Sequence, residues 1–155
     1  MRVYRAFQRK HESGAFSGEG ARRYGGRWNS PGVPVVYTAE NFSLALLEIM
    51  VNVSSSHIPA DMVYAPIDIP DNVVLETLDT NALPQRWFEY PAPAECQRLG
   101  DRWATGASSV GLRVPSAIAR IEKNVLLNPA HRDFARLTIG ASDVLSIDVR
   151  LRGVS

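Results

Sequence analysis

Only two stretches of the chain carry an apolar pattern long enough for a helix, Asn41–Val53 and Ala94–Trp103. Around them lie short strand-length runs: Arg2 to Phe7, Val33 to Ala39, Met62 to Ile69, Val73 to Leu78, Ala117 to Ile121, Asn124 to Leu127 and Val144 to Val149. Helices and strands do not alternate regularly, which argues against a doubly wound parallel sheet. The expected class is α+β with mixed or antiparallel sheets. There is no fixed-period repeat and no linker-like composition, so residues 1–155 read as one domain, long enough to bury a sizeable core. Pro70-Asp71-Asn72 reads as a turn, and Asn128-Pro129 stops the strand before it because proline cannot donate to a ladder. Residues 8–26, polar and glycine-rich, read as a long loop, and Ser54 to Pro59, with a solvated His57, ends the unit of the first helix.

Charge excludes one class of function. The net charge of +1 lacks the basic excess that non-specific nucleic-acid binding requires. Its distribution is uneven: residues 1–30 carry 7 basic and 2 acidic side chains, residues 31–101 carry 2 and 10, and residues 102–155 carry 8 and 4. Fifteen of the basic residues are Arg and two are Lys, and Arg is the better bidentate ligand for phosphate and carboxylate. An anionic small molecule gripped from both ends of the chain fits this pattern, as does a codon bias toward Arg. The acidic middle also offers a contact surface for a basic partner.

Several motifs fail. Gly18-Glu19-Gly20 opens like a dinucleotide fingerprint, but the last glycine is absent and no helix is evident after it. Gly106-Ala107-Ser108-Ser109-Val110 misses the nucleophile-elbow pattern at its final residue. His11, His57 and His131 are far apart and Cys96 has no companion at ligand spacing, so no metal site is expected. The lone Cys96, the lack of an apolar run of the ~18–20 residues that a membrane span needs and the charged N-terminal segment lead to the expectation of a cytoplasmic protein.

What remains is a dense segment: Gly25-Gly26-Arg27-Trp28-Asn29, Val35-Val36-Tyr37-Thr38-Ala39 and Leu44-Ala45-Leu46-Leu47-Glu48. A glycine pair lets the backbone approach a ligand closely, and the Arg that follows is placed to grip an anion. On the first helix, Asn41, Ala45, Glu48 and Asn52 form one stripe at 100° per residue. That stripe faces either water or a cleft. Periodicity alone favours water, while the shortness of the stripe and the apolar character of the rest of the helix, which reads as a helix inside the fold, raise the cleft as the alternative.

These segments, with Val3-Tyr4-Arg5, Val114-Pro115-Ser116 and Asn124 through His131, resemble the RES-domain family, the toxins of Xre–RES toxin–antitoxin pairs. The match runs in order through nearly the whole chain. The resemblance implies an ADP-ribosyltransferase-like fold, with two small mixed or antiparallel β-sheets forming a cleft flanked by helices. It implies an enzyme that breaks the nicotinamide–ribose bond of NAD, with NAD as substrate, no metal, and an Xre-type antitoxin carrying a helix-turn-helix domain as partner. The family's Arg role falls on Arg27 or Arg5, its Glu on Glu48, its Ser on Ser116 and its aromatic hydroxyl on Tyr37. Glu48, Arg27 and Tyr37 are then the catalytic candidates, and Arg5, Arg27, Tyr37 and Ser116 the candidates for holding the nucleotide.

The chemistry asks little more. Nicotinamide leaves NAD from a cationic pyridinium, so one carboxylate beside the ribose suffices to stabilise an oxocarbenium-like transition state. The acceptor is open: water, phosphate or a protein side chain, the last making the protein an ADP-ribosyltransferase. A module that binds a nucleotide or a partner without turnover is the alternative of another class.

Overall fold

The computed structural model describes residues 1–53 and 58–151, so Ser54, Ser55, Ser56 and His57 of the expected polar cluster lie outside the described residues. Eight strands form one ladder: β1 (Arg2–Gln8), β2 (Val36–Ala39), β3 (Met62–Asp68), β4 (Leu75–Thr77), β5 (Gly111–Pro115), β6 (Lys123–Leu127), β7 (Thr138–Ile139) and β8 (Asp143–Val144). The spatial order is β4-β5-β6-β2-β1-β3-β7, with β8 also on β3. All pairs are antiparallel except β4 with β5. Three α-helices accompany them: α1 (Glu19–Tyr24), α2 (Phe42–Asn52) and α3 (Ala94–Gly106). The α+β class is as the sequence implies.

The strands form one sheet, where the family resemblance implies two, and that sheet is narrow at one seam because its strands pair in two groups. β1 pairs with β3 over seven positions, from Arg2↔Asp68 to Gln8↔Met62, and β2 pairs with β6 over all four of its residues. Between these two groups β1 and β2 share one register pair, Tyr4↔Ala39. Beyond it the strands part, and the split opens a cleft.

The sheet is covered on both faces at β6. Val125 and Leu127 pack with Val3, Val36, Ile67 and Val110, while Leu126 turns the other way to pack with Trp28, Cys96, Trp103 and Leu112. This is why Asn124 to Leu127 reads as a continuous apolar run rather than an alternating one. α3 buries Cys96, Gly100 and Trp103, a stripe at helical spacing. Gly100 is where the helix touches the chain before β2: a Cβ built there would stand 1.8 Å from the Trp28 carbonyl oxygen.

Four sequence expectations need correction. Residues 8–26 are not one loop: a 3₁₀ segment covers Arg9–Gly14, and α1 follows. α1 is stabilised by Glu19 bonded to Arg22 and Arg23, three and four residues on, and it ends at Gly25, whose φ of 70° suits a helix C-terminus. The strand expected at Ala117 to Ile121 is a turn, and the strand lies earlier, at β5. Pro115 closes β5, and Ser116 Oγ accepts from the Ile118 and Ala119 amides, curling the chain before it can extend. The strand expected at Val144 to Val149 is reduced to β8, after which the Leu145 amide makes one further bond to the Met62 carbonyl and Leu145 and Ile147 turn into the core. α2 is not enclosed all round, since Leu47 and Val51 stand exposed on its outer side.

The charge asymmetry along the chain is partly cancelled by pairing between its segments. Arg2 forks onto Asp68, and Arg113 bonds Glu40 at 2.9 Å. Basic ends and acidic middle thus meet within the fold, across neighbouring strands or nearby.

We expect Gly100→Ala to cost about 3 kcal/mol, the upper part of the overpacking range, because the obstructing atom is backbone and cannot swing aside. Gly106, with nothing within 4 Å of its Cβ position, is the control and should tolerate Ala. Denaturant unfolding of the two variants measures the difference. Equal midpoints would show that the α3 contact is not tight.

Candidate functional site

The cleft between the parted strands has a volume of about 190 Å³ and is lined by Arg5 and Ala6 of β1, Tyr37 and Thr38 of β2, Ala45, Glu48 and Asn52 of α2, and Asn124 of β6. Ala45, Glu48 and Asn52 of the stripe therefore border the cleft, Ala45 buried, Glu48 half-buried and Asn52 exposed at the outer end. Two anchors set that rotation. Asn41 Oδ1 caps the helix by accepting from the Leu44 amide at 2.8 Å, while its Nδ2 donates to Glu122 Oε2 at 2.8 Å. Two turns further on, Glu48 Oε1 accepts from Ser116 Oγ at 2.9 Å and from Asn124 Nδ2 at 2.5 Å. Both anchors belong to the β5–turn–β6 unit. Glu48 Oε2 takes no protein hydrogen bond among the described residues and is left for the cleft.

Arg5 spans the split. Its Nη1 donates to the Tyr37 carbonyl oxygen at 2.7 Å, where β1 and β2 no longer pair. Burial pulls its pKa down to about 10, which still leaves the guanidinium charged at neutral pH. Its Nε is buried without a protein partner.

Tyr37 lines the cleft but spends its hydroxyl elsewhere. The hydroxyl accepts from the Trp28 amide at 3.1 Å and donates to Asn29 Oδ1 at 2.7 Å. Burial raises its pKa, so the phenol stays protonated and is no base at neutral pH. The close approach permitted by Gly26 is to this hydroxyl: a Cβ there would meet it at 2.5 Å. The Gly25–Asn29 segment is pinned further by Gln97 Nε2, which donates to the Gly26 and Asn29 carbonyls. It is a strut behind Tyr37, where the sequence led us to expect a surface on which a ligand rests.

Arg27 does not line the cleft. Its Nη1 donates to the Trp87 carbonyl at 2.5 Å and the Glu89 carbonyl at 2.9 Å, clamping the segment before α3. Ser116 is fully buried and reaches the cleft only through Glu48. The structure thus brings Arg5, Tyr37 and Glu48 to one cavity, sets Ser116 directly behind Glu48, and leaves Arg27 to one side. One lining residue, Asn124, was not singled out in the sequence, where it reads as the first residue of an apolar strand. Its signal was polarity at a position whose neighbours Val125, Leu126 and Leu127 are all buried. Among the described residues, no three His, Cys, Asp or Glu side chains gather to hold a metal ion, and no helix is long and apolar enough to cross a membrane.

The chain is similar to known proteins in sequence and in fold. The RES domain family matches residues 2–148. A protein named toxin Res from Photorhabdus laumondii is 43% identical over 135 residues, covering 86% of this chain and 85% of that one. A second toxin Res, from Yersinia enterocolitica, is 37% identical over 86% of this chain and 88% of its own. A Sphingobium protein named Prs ADP-ribosylating toxin is 39% identical over 81% of this chain and 79% of its own. Among solved structures, a chain from the M. tuberculosis MbcT–MbcA toxin–antitoxin complex superposes with a TM-score of 0.74 over 94% of this chain and 84% of that one, at 22% identity, and so shares the fold. With its sequence matched almost end to end and its fold in agreement, the chain belongs to the RES-domain toxin family.

Proposed function

We propose that this protein is the toxin of a toxin–antitoxin pair and that it breaks the nicotinamide–ribose bond of NAD. The observation that carries this reading is Glu48: a carboxylate on the cleft side of α2, fixed through one oxygen by Ser116 and Asn124 and presenting the other to the cavity. The cavity is below the ~300–1,000 Å³ of a whole small-molecule site, so it accepts one end of a dinucleotide, the ribosyl–nicotinamide end, with the remainder lying along the opening.

In this reading Glu48 Oε2 faces the ribose and stabilises the positive charge that develops as the bond between C1′ and the pyridinium nitrogen breaks. The bonding electron pair leaves with nicotinamide, which becomes neutral. The acceptor then forms the new bond to C1′ and loses its proton to solvent. A negative charge held in a partly water-excluded cleft acts through a lower effective dielectric than one in bulk water. The Tyr37 ring supplies an apolar face for the nicotinamide, while its hydroxyl holds the strut. Arg5 is the cation of the cleft, and its second terminal nitrogen, Nη2, has no protein partner among the described residues and donates to a phosphate or ribose oxygen. Arg27 keeps a terminal nitrogen, Nη2, without a protein partner among the described residues, and meets the outer phosphate. Ser116 acts by positioning Glu48.

The acceptor separates hydrolysis or phosphorolysis from transfer to a protein. The name of the Sphingobium relative supports transfer as a second reading. Mass spectrometry of the product after incubation with NAD, with and without phosphate and cell extract, decides between them. A toxin with this activity needs an antitoxin, and the fold shared with a chain of a toxin–antitoxin complex supports such a partner. We infer that this partner is an Xre-type protein with a helix-turn-helix domain, as the family resemblance implies. We expect the toxin to reside in the cytoplasm, where NAD is available.

Two substitutions test the reading. Glu48→Gln should lower nicotinamide release from NAD by roughly 10²–10³-fold, the scale seen when one pre-organised electrostatic group is removed, with the melting temperature little changed. Release unaffected by Glu48→Gln would end the proposal. Arg5→Lys should raise KM about tenfold with a smaller effect on kcat, because an ammonium cannot both bridge to the Tyr37 carbonyl and bond a phosphate in the manner of a guanidinium fork. Steady-state kinetics of the two variants provide both numbers.

A further inference from the structure

Of the side chains that line the cleft, two carry charge, Arg5 and Glu48. Each is held by one atom and leaves another free. Arg5 Nη1 donates to the Tyr37 carbonyl at 2.7 Å, and Nη2 has no protein partner among the described residues. Glu48 Oε1 accepts from Ser116 and Asn124, and Oε2 takes no protein hydrogen bond among the same residues. The rest of the lining is uncharged and much of it is small or apolar, as at Ala6, Ala39, Ala45 and Ile49. The volume of about 190 Å³ is below the ~300–1,000 Å³ of a site that encloses a whole drug-sized ligand. A second pocket, along α3 beside Arg98 and Arg102, shares no lining residue with the cleft and does not extend it.

NAD carries two phosphates and two bases. The cleft offers one fixed cation, one fixed carboxylate and one small apolar space, a complement for one phosphate, one ribose and one flat ring. The mononucleotide half of NAD that holds nicotinamide has these parts and also contains the bond that breaks. The adenylate half adds a second phosphate, which Arg27 meets beside the cleft, and a base for which the cleft has no room. We propose that the unit recognised by the cleft is a pyridinium ribonucleoside 5′-monophosphate, so that nicotinamide mononucleotide is itself a substrate. This rests on the reading of Glu48 as the group that faces the ribose. It adds that the adenylate half contributes to binding and little to bond breaking, since only interactions that strengthen in the transition state raise kcat. In the mononucleotide as in NAD, the bond from C1′ to the pyridinium nitrogen breaks and its electron pair leaves with nicotinamide. The oxygen of water, which releases its proton to solvent, or of inorganic phosphate then bonds C1′.

The test follows nicotinamide release by the intact protein from NAD, nicotinamide mononucleotide and nicotinamide riboside, in phosphate buffer so that both acceptors are offered. The readout for the first two is kcat at saturation, because loss of the outer phosphate's contact with Arg27 raises KM. The kcat for the mononucleotide should lie within about tenfold of that for NAD. The riboside, which lacks the phosphate, should show a kcat/KM at least about tenfold below the mononucleotide, the loss of one charge-assisted hydrogen bond. Arg5→Lys should narrow that second gap, because an ammonium bonded to the Tyr37 carbonyl does not fork onto a phosphate as well. Cleavage of NAD with a mononucleotide kcat more than tenfold lower overturns the inference and leaves the proposed reaction standing. Equal kcat/KM for mononucleotide and riboside overturns it too, since the single phosphate is then unread, and an unchanged gap in Arg5→Lys overturns the assignment of that phosphate to Arg5. If Arg5→Lys does not fold, the two wild-type comparisons decide alone. Absence of nicotinamide release from NAD by the wild type removes the proposed reaction and this inference together.

Discussion

One carboxylate oxygen holds three distant parts of the chain in register. Glu48 Oε1 joins α2 to Ser116, at the end of β5, and to Asn124, at the start of β6. The same Ser116 hydroxyl accepts from the amides of Ile118 and Ala119, so the turn that ends β5 and the orientation of the helix are set by one side chain. Hydrogen bonds to a charged group are worth about 1.5–3 kcal/mol each, about twice an ordinary one. Removal of either donor would loosen the carboxylate, and removal of Ser116 would weaken the turn as well. The site is therefore part of the fold's framework rather than an addition to it.

This framework works because the sheet does not close. A continuous ladder between β1 and β2 would place Ala6 opposite Tyr37 and fill the cleft with backbone. Instead the strands meet at Tyr4↔Ala39 and part, and the Arg5 guanidinium reaches across to the Tyr37 carbonyl. A long side chain replaces strand pairing at that point and leaves room beside itself. α2 then covers the opening from one side, fixed at Asn41 and Glu48 to the same β5–β6 unit. On the far side, the Gly25–Asn29 segment braces Tyr37 from behind, held in turn by Gln97 of α3. Each cleft residue is supported by a group from another segment, which is the condition for a pre-organised site.

Much of this was legible in the sequence where one short-range pattern dominated. The apolar period located α2 and set Ala45 and Glu48 on one stripe, which the structure turns to the cleft. The run Asn124 to Leu127 announced a strand, which the structure buries on both faces. Legibility failed where long-range contacts decide. Gly111–Pro115 carries a glycine, an arginine and a proline, and it is a strand because β4 and β6 flank it on either side. Ala117 to Ile121 is apolar enough for a strand, but Ile121 is almost fully exposed and the Ser116 hydroxyl turns the chain. The glycine pair before Arg27 suggested close approach to a ligand, and the approach is real, but its object is the Tyr37 hydroxyl. Arg27 and Arg5 are indistinguishable as residue types. Only the fold separates the arginine that lines the cleft from the one that clamps the carbonyls of Trp87 and Glu89.

The lining chemistry separates this cavity from a packing defect. A gap between strands that served no ligand would be relieved by apolar lining, since a polar group buried without a partner costs about 1–3 kcal/mol. Here Glu48 commits one oxygen to Ser116 and Asn124 and keeps the other free of protein donors among the described residues, and Arg5 commits one terminal nitrogen to the Tyr37 carbonyl and keeps the other free of protein acceptors among the described residues. In each residue the committed atom holds the side chain in place, so that the charge of the other is fixed before anything enters the cleft.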